Sequence, residues 1–231
     1  PSNKTRYYKW SYTEDWEFYA HNYAYYVYNS LTNRIDELPY EKNTFFCWNS
    51  ARSKSILIAS TTHLTQDKVH QMPLVSMGRT DDRISVLYSI EVTQTAITRE
   101  AYLYWDNIKK NSDNVGGIFS PQPSEIMGNI KCISNPDEVV IGYISAALSK
   151  SKRFFAYDAE MDTYKNYHQC EIVIPEEVAP PISWLSLYQN GYLVISYDEM
   201  ERKSIWSKDA CVDCRLRGTK KKPSFWPNDH K

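Results

Sequence analysis

Between Tyr88 and Ser145 the hydrophobic period of the chain changes at Ala96, and that change constrains the kind of fold available. Upstream of it Val86, Tyr88, Ile90 and Val92 recur at every second position, which argues a half-buried strand over residues 83–95. Downstream, Ala101, Trp105 and Ile108 recur at i, i+4 and i+7 and share one helical face, widened by Tyr104. Thr98 can cap this helix through its hydroxyl, and Glu100 suits the positive end of its dipole. Gly116 and Gly117 supply the stop. The spacing therefore predicts a helix over about residues 98–112, with Trp105 and Ile108 buried against a sheet. The loop GGIFSPQPSE follows, with Phe119 as a plug into the core. Strands at 126–133 and 138–149 are expected around an Asn135–Glu138 turn.

The rest of the chain reads as strands and punctuation. Residues 5–12 and 16–28 are dominated by aromatics, and in 16–28 both alternating faces carry rings. One face can pack while the other meets loops or a ligand, since a tyrosine has an apolar body and a polar tip. Tyr19, Tyr23 and Tyr25 are the candidate ligand contacts. Residues 29–43 read as a loop punctuated by Asn33, Asp36 and Pro39. Phe45, Phe46, Cys47 and Trp48 form a short apolar knot, and residues 55–60 a buried strand. A turn of helix is expected from Thr65, with Asp67 near its start. RFFAYD at 153–158 and CEIVIP from Cys170 continue the β pattern. The Pro180-Pro181 pair rules out a central strand at VAPPISW. Asn190-Gly191 reads as a hairpin turn between WLSLY and YLVISY. The basic run from Arg215 to Lys222 reads as a solvated tail.

These elements predict one mainly β domain over residues 1–231, an antiparallel β-sandwich or barrel-like sheet with one prominent helix. The charge is balanced, 27 basic residues against 28 acidic, so no overall field attracts nucleic acid or an anionic membrane. The 19 tyrosines and seven tryptophans suit strands, and they also suit carbohydrate and protein contacts. His63 and His70 are seven apart with no third ligand nearby, short of what a zinc site needs. His21 lacks a partner at metal spacing. No metal and no cofactor is expected. The sequence carries no nucleophile elbow, Walker loop or dinucleotide fingerprint. The pairs Glu14-Asp15 and Asp81-Asp82 are sequence neighbours, which on a strand point to opposite faces. No catalytic residue is therefore assigned.

Several motifs resemble one family when taken together. Tyr88-Ser89-Ile90, ITREAYLYW, GGIFSPQPSEIMGNI and VIGYISA occur in the order and spacing found in an uncharacterised family of Bacteroidota cell-envelope lipoproteins. Genes for that family typically lie beside those for TonB-dependent receptors. The opening RYYKW resembles the start of the family's second half, and CVDCRLRGTKKKPSFWP its carboxyl end. The resemblance implies a carboxyl-terminal module, with a lipoprotein signal and an immunoglobulin-like domain expected upstream of this chain. It implies an outer-membrane, cell-surface location reached through an amino-terminal lipid anchor. It also implies a TonB-dependent receptor as partner and an unidentified nutrient as ligand. The expected role is a non-enzymatic accessory that captures or delivers that ligand. The alternative is a secreted hydrolase acting on glycans or peptides, which needs a cleft with convergent carboxylates.

Export implied by the family favours disulfides among the five cysteines. Cys132 stands where the family pattern usually lacks cysteine, and it is expected as a free buried thiol. That leaves Cys47, Cys170, Cys211 and Cys214, which allow three connectivities. The polar 207–224 segment has little apolar surface to hold it down. At least one long-range bridge from Cys211 or Cys214 to Cys170 or Cys47 is favoured over a local 211–214 bond, because long loops gain more from closure. Zinc on the same four thiolates is the rival. Such a tether would keep Phe225 and Trp226 near a docking site.

Overall fold

The computed structural model describes residues 5–113, 128–157, 160 and 170–228. The expected stop at Gly116-Gly117 and the plug at Phe119 lie outside them. The described residues are mainly β, arranged in antiparallel sheets, with no closed barrel among them. They divide into two compact units.

The first unit comprises Pro1–Glu14, Arg52–Ser76 and Ile90–Phe154. Strand β1, Tyr7–Tyr19, begins here and pairs antiparallel with β5, Leu57–Ser60, from Tyr7 opposite Ser60 to Trp10 opposite Leu57. Strands β6, Leu87–Ile97, and β7, Leu148–Tyr157, carry matched side chains across their ladder. Thr93 meets Ser151 at 2.8 Å, Thr95 meets Ser149 at 2.9 Å, and Arg153 Nη2 meets Glu91 Oε2 at 3.1 Å. Each step forward on β6 matches the same step back on β7, the register of an antiparallel pair with cross-strand partners. With β4, Phe46–Arg52, the sheet runs in the order β4-β1-β6-β7, and β5 is paired to β1.

The long helix α1, Arg99–Asp113, forms where the sequence places it. The Thr98 hydroxyl accepts from Ala101 N–H at 3.2 Å, so one orphan donor of the first turn is satisfied. The buried face differs from the expected one. Ala101 is fully buried, whereas Trp105 and Ile108 are half-buried. Trp105 is roofed by a charge: Lys9 Nζ lies 3.3 Å from the ring centroid, and burial pulls the Lys9 pKa down. Tyr102 packs on Tyr7 at 5.1 Å, and Tyr104 stacks on Tyr143 at 4.9 Å. Thr98→Ala should cost about 1 kcal/mol of stability, read as a shift in the urea midpoint at unchanged slope. A neutral substitution would show that the cap is not used.

Four expected elements are corrected. The strand expected from residue 83 begins at Leu87, because Asp81 accepts from Arg83 N–H at 3.0 Å and starts a 3-10 turn at Asp82–Ile84. The strands expected at 126–133 and 138–149 do not form over 128–147, although Glu138 N–H does close the turn onto Asn135 O at 3.1 Å. Cys132 is free as expected, yet half-buried and outside any strand. No helix starts at Thr65. The Asp67 carboxylate accepts instead from the Thr61 hydroxyl and from Tyr8 Oη, and these bonds hold its pKa below the usual range.

The second unit comprises Asp15–Ala51, Met77–Ser89 and Phe155–Lys231. The stretch read as a loop after residue 29 contains half of a hairpin. β2, Tyr26–Asn29, pairs antiparallel with β3, Arg34–Glu37, around a tip where Asn33 has φ 52°. A three-stranded sheet has the order β8-β10-β9: β8 is Ile172–Val173, β9 Tyr192–Asp198 and β10 Lys203–Lys208. The segment WLSLY is helix, not strand. Ser183 Oγ accepts from Ser186 N–H at 3.2 Å and opens α2, Trp184–Gln189. Asn190-Gly191 ends this helix and does not close a hairpin; Gly191 takes φ 75°, where a side chain would be strained. A short helix α3, Asp209–Val212, follows β10.

Three apolar clusters form the core of this unit. One gathers Phe18, Ala20, Cys47 and Cys214; the second Tyr28, Leu187, Val194 and Trp206; the third Val86, Leu87 and Trp226. Trp226 is the docked residue of the tail, with its indole N–H donating to Glu17 Oε2 at 3.0 Å in a buried site. Phe225 remains 41% exposed. The tail approaches the body closely at Gly218, where any Cβ would come within 2.5 Å of Trp48 O. Thr219 and Trp48 exchange both backbone bonds at 2.8 Å.

Candidate functional site

The three tyrosines singled out by sequence come together on one ring surface of the second unit. Tyr23 and Tyr25 have centroids 4.7 Å apart. Tyr23 meets Phe45 at 5.2 Å, and Phe45 meets Tyr19 at 5.1 Å and Phe46 at 5.2 Å. Tyr19 and Phe46 close the group at 4.7 Å. The geometries are tilted or edge-on, as ring quadrupoles prefer. Tyr25 is 63% exposed and the other four rings are half-buried, with Phe45 and Tyr19 also packed against core clusters, so the group is a surface patch rooted in the core.

Two buried or half-buried amides hold the segments that carry these rings. Asn43 is buried; its Nδ2 donates to Ala24 O at 2.8 Å while its Oδ1 accepts from Phe45 N–H at 2.8 Å. One side chain thus ties the Tyr23–Tyr25 segment to the Phe45-Phe46 segment. Ala20 N–H adds a bond to Phe45 O at 2.7 Å. Asn22 Nδ2 donates to Ser207 Oγ at 3.0 Å, and Asn22 N–H donates to Cys211 O at 2.9 Å. Tyr25 itself is framed by the sheet: its N–H donates to Ile195 O at 3.0 Å and its C=O accepts from Leu38 N–H at 2.8 Å. A ring surface whose backbone is fixed on both sides loses little freedom when it is covered.

Disulfides fasten the same region. Cys47 bonds to Cys214 and Cys170 to Cys211, so both members of the CxxC pair make long-range bridges, as the tail argument favours. Cys47 follows Phe46 directly, and Cys214 N–H donates to Thr44 O at 3.0 Å. The four thiols are thus consumed in disulfides. Among the described residues no group of three His, Cys, Asp or Glu could hold a metal ion, and His63 and His70 are both exposed.

The expected solvated basic tail is partly structural. Arg215 forks onto Asp213, with Nη2 to Oδ2 at 2.6 Å. Arg217 donates to the Asp82 carboxylate and to Tyr19 O at 3.2 Å, and its guanidinium lies 5.0 Å from the Phe18 centroid. Asp81 is held by Arg83 and Asp82 by Arg217, so this carboxylate pair is divided between two arginines. The Arg83 hydrogen bond and charge hold the Asp81 pKa below the usual range.

Sequence reasoning missed Phe45 and Phe46 as surface rings and Asn43 as their organiser. The available signal was the Asn43-Thr44-Phe45 step, where an Asx turn aims the amide two residues on.

Residues 1–153 match a family model described as a domain of unknown function, DUF4249. No curated protein and no solved structure matches the chain.

Proposed function

We propose that this chain, which belongs to the DUF4249 family, is a ligand-capturing module of a Bacteroidota outer-membrane surface lipoprotein that serves a TonB-dependent receptor. The observation that carries this reading is the prearranged ring surface of Tyr19, Tyr23, Tyr25, Phe45 and Phe46. Tyrosine-rich contact surfaces recognise partners through large, stiff, amphipathic area at low entropic cost. Such a surface binds and positions; it offers no nucleophile and no acid–base pair, which supports an accessory role over a hydrolytic one. The membrane is contacted through an amino-terminal lipid anchor, the ligand is a nutrient, and nucleic acid is not a partner.

The test is affinity purification of the full-length protein from its native outer membrane, with and without Tyr23→Ala/Tyr25→Ala. The expected result is recovery of a TonB-dependent receptor with the wild type. The double variant should remain folded with a modest drop in the urea midpoint, since Tyr25 is exposed and half-buried Tyr23 loses its ring contact with Phe45. Its yield of receptor or of co-purifying ligand should fall at least about tenfold, as for loss of an aromatic hot spot. Absence of any such receptor after crosslinking would overturn the proposal.

A further inference from the structure

A pocket of about 330 Å³ opens in the second unit, and none of the five rings lines it. That volume is at the lower end of the range for small-molecule sites, about 300–1,000 Å³. Its walls are apolar: Tyr28 from β2, Leu193 and Val194 from β9, Tyr188 from α2 and Val212 from α3. Its polar lining is unequal in charge. Lys42, Asp213 and Arg215 line it. Arg215 is neutralised by its fork onto Asp213, with Nε at 2.9 Å from Oδ1 and Nη2 at 2.6 Å from Oδ2. The Lys42 ammonium has no hydrogen bond or ion pair among the described residues. One uncompensated positive charge therefore stands at the lining of an otherwise apolar pocket.

The pocket is also prearranged. Val212 and Asp213 lie between Cys211 and Cys214, each of which is bridged to a distant strand or loop. Asn43 fixes the turn that carries Lys42, through Ala24 O and Phe45 N–H. A prefixed apolar site with a few convergent polar groups is the usual form of a small-molecule site.

We propose that this pocket binds a compact apolar monocarboxylate, with the hydrocarbon against Tyr28, Leu193 and Val194 and the carboxylate on Lys42. A neutral isostere would bury the same surface and lose the charge-assisted bond. A cation of the same shape would meet Lys42 unfavourably. The inference adds a site to the capture role and uses none of the five surface rings, so each can fail without the other.

The experiment uses octanoate, octanol and octyltrimethylammonium as probes, titrated into the wild-type chain by calorimetry and followed by amide resonances. Octanoate should saturate below about 1 mM and bind at least about tenfold tighter than octanol. The amides of Val194 and Val212 should shift. Lys42→Gln, an exposed change, should reduce the octanoate-to-octanol ratio to within about threefold and leave octanol affinity unchanged. Equal affinities for the three probes in the wild type, no saturation by octanoate, or shifts confined to Tyr23 and Tyr25 would each overturn the assignment. The wild-type titrations decide the matter without the variant, and no receptor is read in them.

Discussion

Cys47→Ala/Cys214→Ala is expected to lower the unfolding free energy by about 5 kcal/mol, and Cys170→Ala/Cys211→Ala by about 4 kcal/mol. The order follows from the loops. The first bridge spans 167 residues and the second 41. In the chain-entropy account the constraint on the unfolded chain grows with the logarithm of the loop, so the longer bridge contributes more. With the second bridge intact, the loop closed by the first is shortened by about a quarter, which changes its logarithm little. Packing adds to the ranking. Cys47 and Cys214 are fully buried beside Phe18 and Ala20, so truncating them also opens space in a core cluster. Urea denaturation without reductant reads both losses. A 47–214 variant that loses less than about 1 kcal/mol would show that the bridge adds nothing to a segment already held by its hydrogen bonds.

The same bridges connect stability to the proposed sites. Cys211 O accepts from Asn22, and Cys214 N–H donates to Thr44 O. Breaking the disulfides loosens the segment on which the Tyr23–Tyr25 rings and the Lys42 turn rest. Loss of octanoate affinity should therefore accompany loss of stability in the 47–214 variant.

Local patterning explains which elements were legible. Helix α1 was readable because its cap, its apolar spacing and its length agree. Thr98 supplies the hydroxyl, and four turns of helix give the period room to declare itself. Helix α2 was not, because it is six residues long. Over that length Trp184, Leu187 and Tyr188 satisfy a helical spacing while the same letters pass for alternation. Gly191 misled for a related reason: a positive φ serves a helix end as well as a hairpin. The β2–β3 hairpin was hidden because each strand has only four residues and its tip carries the same Asn signals as a loop.

The candidate sites divide in the same way. Tyr19, Tyr23 and Tyr25 stood out by composition alone, but their meeting with Phe45 depends on the long-range bond from Ala20 N–H to Phe45 O and on the Asn43 amide. The pocket is built from β2, β9, α2, α3 and the turn at Lys42. No local periodicity reports such a convergence. The connection of Cys211 and Cys214 to distant cysteines was foreseeable in kind, since a polar tail needs an anchor, but the pairing is a property of the folded chain.

Trp206→Ala is expected to cost about 3–5 kcal/mol, the usual penalty for removing a large ring from a tight core. Trp206 is fully buried, and its ring packs edge-on against Tyr28 at 5.5 Å. It is also the inner end of a polar chain. Its indole N–H donates to Ser204 Oγ at 2.8 Å, and Ser204 Oγ donates to Glu176 Oε1 at 2.8 Å. Ser204 N–H donates to Glu176 Oε2 at 3.1 Å, and the Trp184 indole donates to Glu176 Oε1 at 3.0 Å. Burial raises the Glu176 pKa, but the bonds from Ser204 and Trp184 outweigh it, so the carboxyl stays below its usual range. A depressed folded pKa contributes stability above the unfolded value of about 4.3, and that contribution is lost as pH falls through the folded value. Two substitutions separate ring from N–H. Trp206→Phe keeps most of the apolar body and should cost about 1–3 kcal/mol, from the lost hydrogen bond and partial packing loss. Trp206→Ala should cost clearly more, and its cavity beside Tyr28 should weaken the pocket's hold on octanoate. Equal losses for the two variants in urea denaturation would show that the indole N–H bond to Ser204, and not the packing of the ring on Tyr28, carries the contribution of Trp206.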